Sequence, residues 1–425
     1  NFTLNGGRNE YAIMGWFYRA AYDYKGKYLA EVNGRYDGTS RFPRGKRYGF
    51  FPSFSAAYRI SEEAFFEPLR KTVDNLKIRL SYGSLGNQQI GYYDFIQTIT
   101  TKGSMGDYSF DGTILGQHAT VSDPVSGNQT WEKVISKNLG ADLNMFSNRL
   151  SLTADFYIRD TKGILGKGKS LPSIYGANEP QVNSNNLRTK GYELVLGWRD
   201  SFKLAGSTFS YGITGTFSDY TAEYTKCDNP SGLIGGPYVG KKYGEIWGYK
   251  VDGLFRNDEE AAEYASRVDL SKVAAGYYSA TGAYGKGVRG GDIKYLDLDG
   301  SGIVDGGKGT LEDPGDRRVI GNSSPRYQYG LTLNLSWYGF DLSVFMQGIG
   351  RLDWYPGADN LRFWGPYSRP YATFIPKNFM SQVWSESNPD AYLPRARAYT
   401  SLNSTQGTAY YTNDRYLQNL AYCRL

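Results

Sequence analysis

The sequence predicts an all-β chain of about eleven strands, part of a larger antiparallel transmembrane β-barrel with long extracellular loops. Three observations carry this expectation. First, Arg149–Asp160 places Leu150, Leu152, Ala154, Phe156 and Ile158 on one parity. Ser151, Thr153, Asp155, Tyr157 and Arg159 fall on the other. Successive strand side chains point to opposite faces, so one face is apolar and the other polar. Second, the pattern returns along the chain in segments of ~10 residues, the length a membrane-crossing strand needs. Third, the connections alternate between short and long, as the two ends of a bacterial barrel require.

Composition agrees. The chain has 425 residues, 16% of them aromatic, with 38 Tyr and 8 Trp. Tyr and Trp suit a membrane interface, where an apolar ring and a polar tip are both satisfied. Mean hydropathy is −0.52, and no apolar run reaches the ~18 residues of a spanning helix. A helical membrane protein is therefore excluded, but a barrel is not, because only alternate residues face lipid. The net charge of +6 is small for this length, and no basic run suggests a nucleic-acid partner. Cys227 and Cys423 are too far apart in sequence for a zinc motif. A single histidine, His118, excludes a multi-histidine metal site and argues against a Ser-His-Asp triad. The N-terminal Asn-Phe-Thr-Leu has neither a basic nor an apolar signal region. An outer-membrane protein needs a leader, so it is expected to have been removed or to belong to a longer protein.

The elements follow in order. Strands are expected at Glu10–Tyr22 and Tyr28–Asp37, joined by a turn through Lys25 and Gly26. A third runs Tyr48–Ile60. A short helical segment, Ser61–Leu69, follows, with Ser61 as its N-cap ahead of Glu62 and Glu63. The fourth strand is Leu76–Gly83, with Leu76, Ile78, Leu80 and Tyr82 on its apolar side. A long loop leads to a fifth ending at Met145, and Phe146-Ser147-Asn148 turns the chain into the sixth. The seventh carries Tyr192, Leu194, Leu196 and Trp198, and the eighth Phe209, Tyr211, Ile213 and Phe217. A long, mostly irregular segment follows, with one helix at Asp258–Arg267. The ninth and tenth form a hairpin about Tyr338-Gly339. Its apolar face holds Tyr327, Tyr329, Leu331, Leu333, Leu335 and Trp337, continued by Phe340, Leu342, Val344 and Met346. A last strand begins near Asp414.

Several segments in this order resemble the SusC/RagA family of TonB-dependent outer-membrane transporters. They are Tyr22–Leu29, Gly49–Glu63, Leu76–Gln88, Trp247-Gly-Tyr-Lys-Val-Asp-Gly-Leu-Phe255, Gly291-Asp-Ile-Lys-Tyr-Leu-Asp-Leu-Asp-Gly300 and Asp414–Leu425. Each alone is weak, but the ordered set spans nearly the whole chain. The resemblance implies a nutrient importer of the Gram-negative outer membrane, moving glycans or peptides, and not an enzyme. Its implied partners are a SusD-like surface lipoprotein, the lipid bilayer, and TonB acting through a plug. It also implies a 22-stranded barrel around that plug. All of 1–425 then reads as barrel segment, roughly strands nine to nineteen. On that reading the plug and the remaining barrel half are expected outside 1–425, and Leu425 is expected to fall within a strand. The rival readings are a TonB-dependent siderophore receptor and a secreted all-β glycan-binding or glycanase domain.

Two loops carry candidate sites. Asp297-Leu-Asp-Gly-Ser-Gly-Ile-Val-Asp305 resembles the start of a calcium loop. Asp297, Asp299 and Ser301 offer side-chain oxygens, Ile303 a carbonyl, and Asp305 a further ligand. Lys308 occupies the position that usually closes such a loop, and in the resembled family a downstream Asp before Arg, here Asp316, takes that part. The same run also fits an Asp/Gly-rich turn without metal. No organic cofactor is expected. The second loop gathers Trp354, Tyr355, Phe363, Trp364, Tyr367 and Tyr371, a set suited to a partner, a cargo or a self-packed core. The acid pairs Glu62-Glu63 and Glu259-Glu260 read as helix starts and not as a glycosidase pair. Gly285–Gly291 lacks the Lys-Ser/Thr ending of a phosphate loop.

Overall fold

The computed structural model describes residues 8–103, 109–110, 113–114, 117–169, 171–273, 287–357, 360–367, 375–396 and 411–425. They fall into two compact units. The first comprises Asn1–Asp228, Gln328–Gln347 and Leu425, and the second Asn229–Tyr327 and Gly348–Arg424.

An eleven-stranded sheet dominates, its strands hydrogen-bonded in chain order. We number these strands β1 (Ile13–Tyr24), β2 (Tyr28–Thr39), β3 (Tyr48–Arg59), β4 (Val73–Asn87), β5 (Glu132–Met145) and β6 (Leu150–Lys167). They continue as β7 (Gln181–Leu204), β8 (Ser207–Lys226), β9 (Arg326–Trp337), β10 (Phe340–Arg351) and β11 (Tyr422–Arg424). The connections sort by end. At one end they are 25–27, 60–72, 146–149, 205–206 and 338–339; at the other, 40–47, 88–131, 168–180, 227–325 and 352–421. The tight turns are left-handed, as two-residue hairpins require: φ is 49° at Ala205 and 86° at Gly206, and 50° at Tyr338 and 78° at Gly339.

Strand positions match the sequence pattern, and their lengths exceed it. β7 runs 24 residues and β8 20. Their added residues mix polar and apolar types, as in Gln181–Lys190 and Ser218–Lys226, and so carry no clean alternation. The Ser61–Leu69 helix is corrected to two 3-10 turns, Ile60–Glu62 and Ala64–Leu69, the second containing Pro68. Ser61 caps neither, and its buried hydroxyl has no partner among the described residues. The last strand starts at Tyr422 and not near Asp414. Non-local bonds hold Asp414 instead: Oδ1 accepts from the Val251 amide at 3.1 Å, and Oδ2 meets Lys250 at 3.0 Å.

The second unit is more ordered than the sequence suggests. Glu245–Tyr249 pairs with Arg317–Asn322, and Val251–Leu254 with Ile293–Tyr295. The one expected helix, α1, spans Asp258–Arg267. The Asn257 side chain accepts from the Glu260 amide at 2.8 Å, and Glu260 reaches back to the Arg256 amide at 2.7 Å. This reciprocal arrangement satisfies donors the first turn leaves open. The core holds Phe255, Leu270, Val273, Val304, Trp364 and Tyr416, all fully buried. No helix among the described residues is long and apolar enough to cross a membrane.

Candidate functional site

The register makes the sheet two-faced. Leu76, Leu143, Leu152, Leu196, Gly215 and Leu331 lie opposite one another in turn across β4 to β9. The adjacent row is Ile78, Ala141, Ala154, Leu194, Phe217 and Tyr329. Directly opposed residues share a face, so the apolar parity of each strand joins its neighbours into one surface. Phe156 and Leu342, both on it, are 55% and 54% exposed. Aromatics border this surface. Tyr28 and Tyr58 stack at 5.1 Å, and Tyr36 and Tyr48 at 5.3 Å. At the short-turn end, Trp337 Nε1 donates to Leu204 O at 3.2 Å and Tyr338 OH donates to Ala205 O.

The other face is polar and carries a ladder of ion pairs. Arg79 donates to Asp142 at 2.9 Å and to Asp155 at 2.9 Å. Lys77 meets Asp142 at 2.8 Å, Asn138 donates to Asp155 at 2.7 Å, and Arg19 meets Glu31 at 2.9 Å. The sequence signal for this ladder was the charge on the wet parity of each strand, but its partners became visible only with the register. The Arg79 fork is possible because Gly140 has no side chain: a Cβ there would lie 2.5 Å from Asp155 Oδ1.

In the second unit the structure gathers part of the expected acidic set. Ligand oxygens of Asp297, Asp299 and Asp316 all lie within 4.8 Å of one another. Backbone amides shape the loop: Asp297 accepts from Gly300 at 2.8 Å and Gly302 at 2.9 Å. Asp316, fully buried, accepts from Leu298 at 2.6 Å and Asp305 at 2.9 Å. Burial, with Asp299 nearby, pushes the Asp316 carboxyl above its ordinary range, whereas hydrogen bonds from Ser301 lower that of Asp299. The Ser301 hydroxyl donates to the Ile303 carbonyl at 2.9 Å. Asp305 stands apart: its carboxylate accepts from the Gly307 amide at 2.6 Å, and its carbonyl from the Asp316 amide at 3.0 Å. The loop is tied to the segment after α1 by Asp269 N to Gly302 O at 2.7 Å and Val304 N to Asp269 O at 2.9 Å.

The aromatic loop is mostly core, the self-packed alternative among the three the sequence leaves open. Trp364 is fully buried, with Nε1 donating to Pro356 O at 3.2 Å. Tyr367 is 3% exposed and donates to Pro394 O at 2.6 Å. Tyr355 donates to Tyr411 O at 3.2 Å. Tyr355 and Phe363 are partly buried against this core, and Trp354 is the most open of the loop's described rings, at 37%. Tyr371 and the His118 side chain lie outside the described residues, as does the start of Gly285–Gly291. One acid of each pair is held by a lysine distant in sequence: Glu63 by Lys27 at 3.0 Å and Glu260 by Lys294 at 3.0 Å.

Comparison with known proteins agrees with this architecture. The chain is 28% identical over 428 residues to TonB-dependent receptor P26 of Formosa agariphila, covering 98% of this chain and 38% of that protein. It is 24% identical over 342 residues to TonB-dependent receptor SusC of Bacteroides thetaiotaomicron, covering 79% of this chain and 31% of that protein. It thus spans about a third of the length of the curated relatives it matches. Among solved structures, the RagAB peptide importer in its open-open state superposes with a TM-score of 0.68 at 19% identity, covering 98% of this chain and 39% of that one. Residues 1–374 match the TonB dependent receptor-like, beta-barrel family, and the chain belongs to that family.

Proposed function

We propose that this chain forms part of the wall of a SusC-like outer-membrane importer that takes up large nutrients, glycans or peptides. The observation that carries the reading is the two-faced eleven-stranded sheet, with the tight turns 25–27, 146–149, 205–206 and 338–339 at one end and the longest connections, 88–131, 227–325 and 352–421, at the other. A continuous apolar surface fits lipid, and the ion-paired face fits a wet lumen. The relatives are receptors coupled to TonB, so we assign the driving force to TonB acting on a plug. A SusD-like lipoprotein would meet the long loops on the cell surface. No described residue is given a bond-making role.

The Asp297–Asp316 loop would hold a hard cation, calcium by its all-oxygen donors, with a structural role. Its fit rests on three carboxylates converging within 4.8 Å with the buried one disfavoured as an anion. A divalent cation would offset that repulsion. Asp297, Asp299 and Asp316 would supply carboxylate oxygens, and Ser301 and Ile303 further oxygens.

The test is purification of the whole receptor from the outer-membrane fraction, with co-purifying proteins and bound oligomers identified by mass spectrometry. Detergent-dependent extraction, a lipoprotein partner and a bound glycan or peptide are the expected result. Extraction in buffer alone, or an iron chelate as the bound molecule, would overturn the reading.

A further inference from the structure

We propose that Lys133, Lys137, Lys162 and Lys190 bind the phosphate groups of a lipid headgroup on the apolar face of the sheet. The register builds the site. Lys133 on β5 lies directly opposite Lys162 on β6. Along β5, Lys137 lies opposite Ile158, and Ile158 lies opposite Lys190 on β7. Opposed residues share a face, as do residues two apart on one strand. All four lysines therefore stand on the face whose next row is Leu139, Phe156 and Tyr192, and all four are exposed. Strands lie ~4.8 Å apart and a residue advances ~3.4 Å. The four side chains thus rise from a patch about 10 Å across and somewhat longer, a span suited to a headgroup bearing one or two phosphates.

Their charge is unanswered within the chain. Like charges directly opposed on a ladder are destabilising, and Lys133 faces Lys162 in that way. On the polar face, by contrast, Arg79, Lys77 and Arg19 are each closed by a carboxylate. On the lysine-bearing face Asp160, which stands between the two lysine rows, is already engaged. Asp160 holds Arg188 at 2.6 Å, and Glu223 lies opposite Arg188. Among the described residues, none of the four lysines makes an ion pair or side-chain hydrogen bond. The missing counter-charge would come from outside the protein.

The position selects a lipid over a free anion. The lysines lie towards the ends of β5, β6 and β7 that lead into 88–131 and 168–180, away from the turn 146–149. On the same face, towards that turn, the rows become apolar through Leu80, Leu139 and Phe156, then Ala141 and Ala154. A cationic rim above an apolar wall fits an amphiphile: phosphates on the ammoniums, acyl chains along the rows below. A free phosphate would use the rim and leave the rows unused. This assignment rests on the outer-membrane reading above, which puts the long-connection end at the outer leaflet.

The test uses the whole receptor in detergent, titrated with a phosphorylated glycolipid, with the same lipid stripped of phosphate, and with inorganic phosphate. Wild type is expected to prefer the phosphorylated lipid by about tenfold or more, with millimolar inorganic phosphate competing poorly. Replacing all four lysines by Gln should abolish the preference, and replacing them by Arg should retain it. The pair Lys133→Gln and Lys162→Gln, weakening it in part, serves if the quadruple Gln variant does not fold. Equal binding of the two lipids by a membrane-inserted wild type, or a preference that survives the Gln changes, overturns the lipid site alone. Inorganic phosphate competing as strongly as the lipid would make this a free-anion site and overturn the lipid assignment. A wild type that needs no detergent overturns the membrane reading, and this site with it.

Discussion

Gly140 and Leu333 show how single positions divide the two faces. At Gly140, an added Cβ would meet Arg79 Cζ at 2.7 Å and Asp155 Oδ1 at 2.5 Å. Gly140→Ala should push the guanidinium off Asp155 and cost about 1–2 kcal/mol, the worth of a charged hydrogen bond left without its partner. Urea-induced unfolding in lipid vesicles would read this, and an unchanged midpoint would show that Arg79 has another resting place. Leu333 lies opposite Ile213, which lies opposite Trp198, all on the apolar face. Leu333→Arg should cost ~2–4 kcal/mol if the position is near mid-bilayer. Thr332→Arg, one residue away on the polar face, should cost little. Equal losses at the two positions would mean that the faces are not lipid and water.

At the scale of elements, the acidic loop is the one whose order most depends on charge. Asp297→Ala removes acceptors for the Gly300 and Gly302 amides and one of the three converging carboxylates. Hydrogen exchange in 297–305 should rise, strands β4 to β8 should stay protected, and chelation of wild type should give the same pattern. No response to chelator, with the mutant still loosened, would leave the loop a hydrogen-bonded turn without metal. Elements were legible where their signal is local. Helix α1 was readable end to end because Asn257 caps it and an acidic first turn follows. The tight turn at Tyr338-Gly339 was readable from the parity running through it. What escaped was set by distant partners. Asp414 continues a strand-like run, yet Lys250 and the Val251 amide hold it elsewhere. Trp364 and Tyr367 have the composition of a binding loop, and composition does not distinguish a ring that meets a ligand from one that meets its own core. Asp316 entered the acidic set through the family resemblance alone, being distant from Asp297 in sequence.

For the whole molecule, the sorting of connections by end is the strongest constraint on orientation. A soluble meander has no reason to put 146–149, 205–206 and 338–339 at one end and 88–131, 227–325 and 352–421 at the other. A membrane does, because one side exposes loops to cargo while the other needs only to return the chain. The orientation can be read with two cysteines. The native thiols, Cys227 half-buried and Cys423 exposed, are both free and are first replaced by Ser. Lys25 already holds φ at 55° with a side chain, and a Cβ at Gly357 meets nothing within 4 Å, so both positions should accept Cys without strain. In intact cells an impermeant maleimide should label Gly357→Cys and leave Lys25→Cys unmodified until the outer membrane is opened. The reverse pattern would invert the topology, move the cationic rim of Lys133 and Lys162 to the inner leaflet, and leave the long loops facing the periplasm, where no surface lipoprotein could meet them. Labelling of both sites in intact cells would mean that the sheet does not separate two compartments, and the importer reading would fall with it.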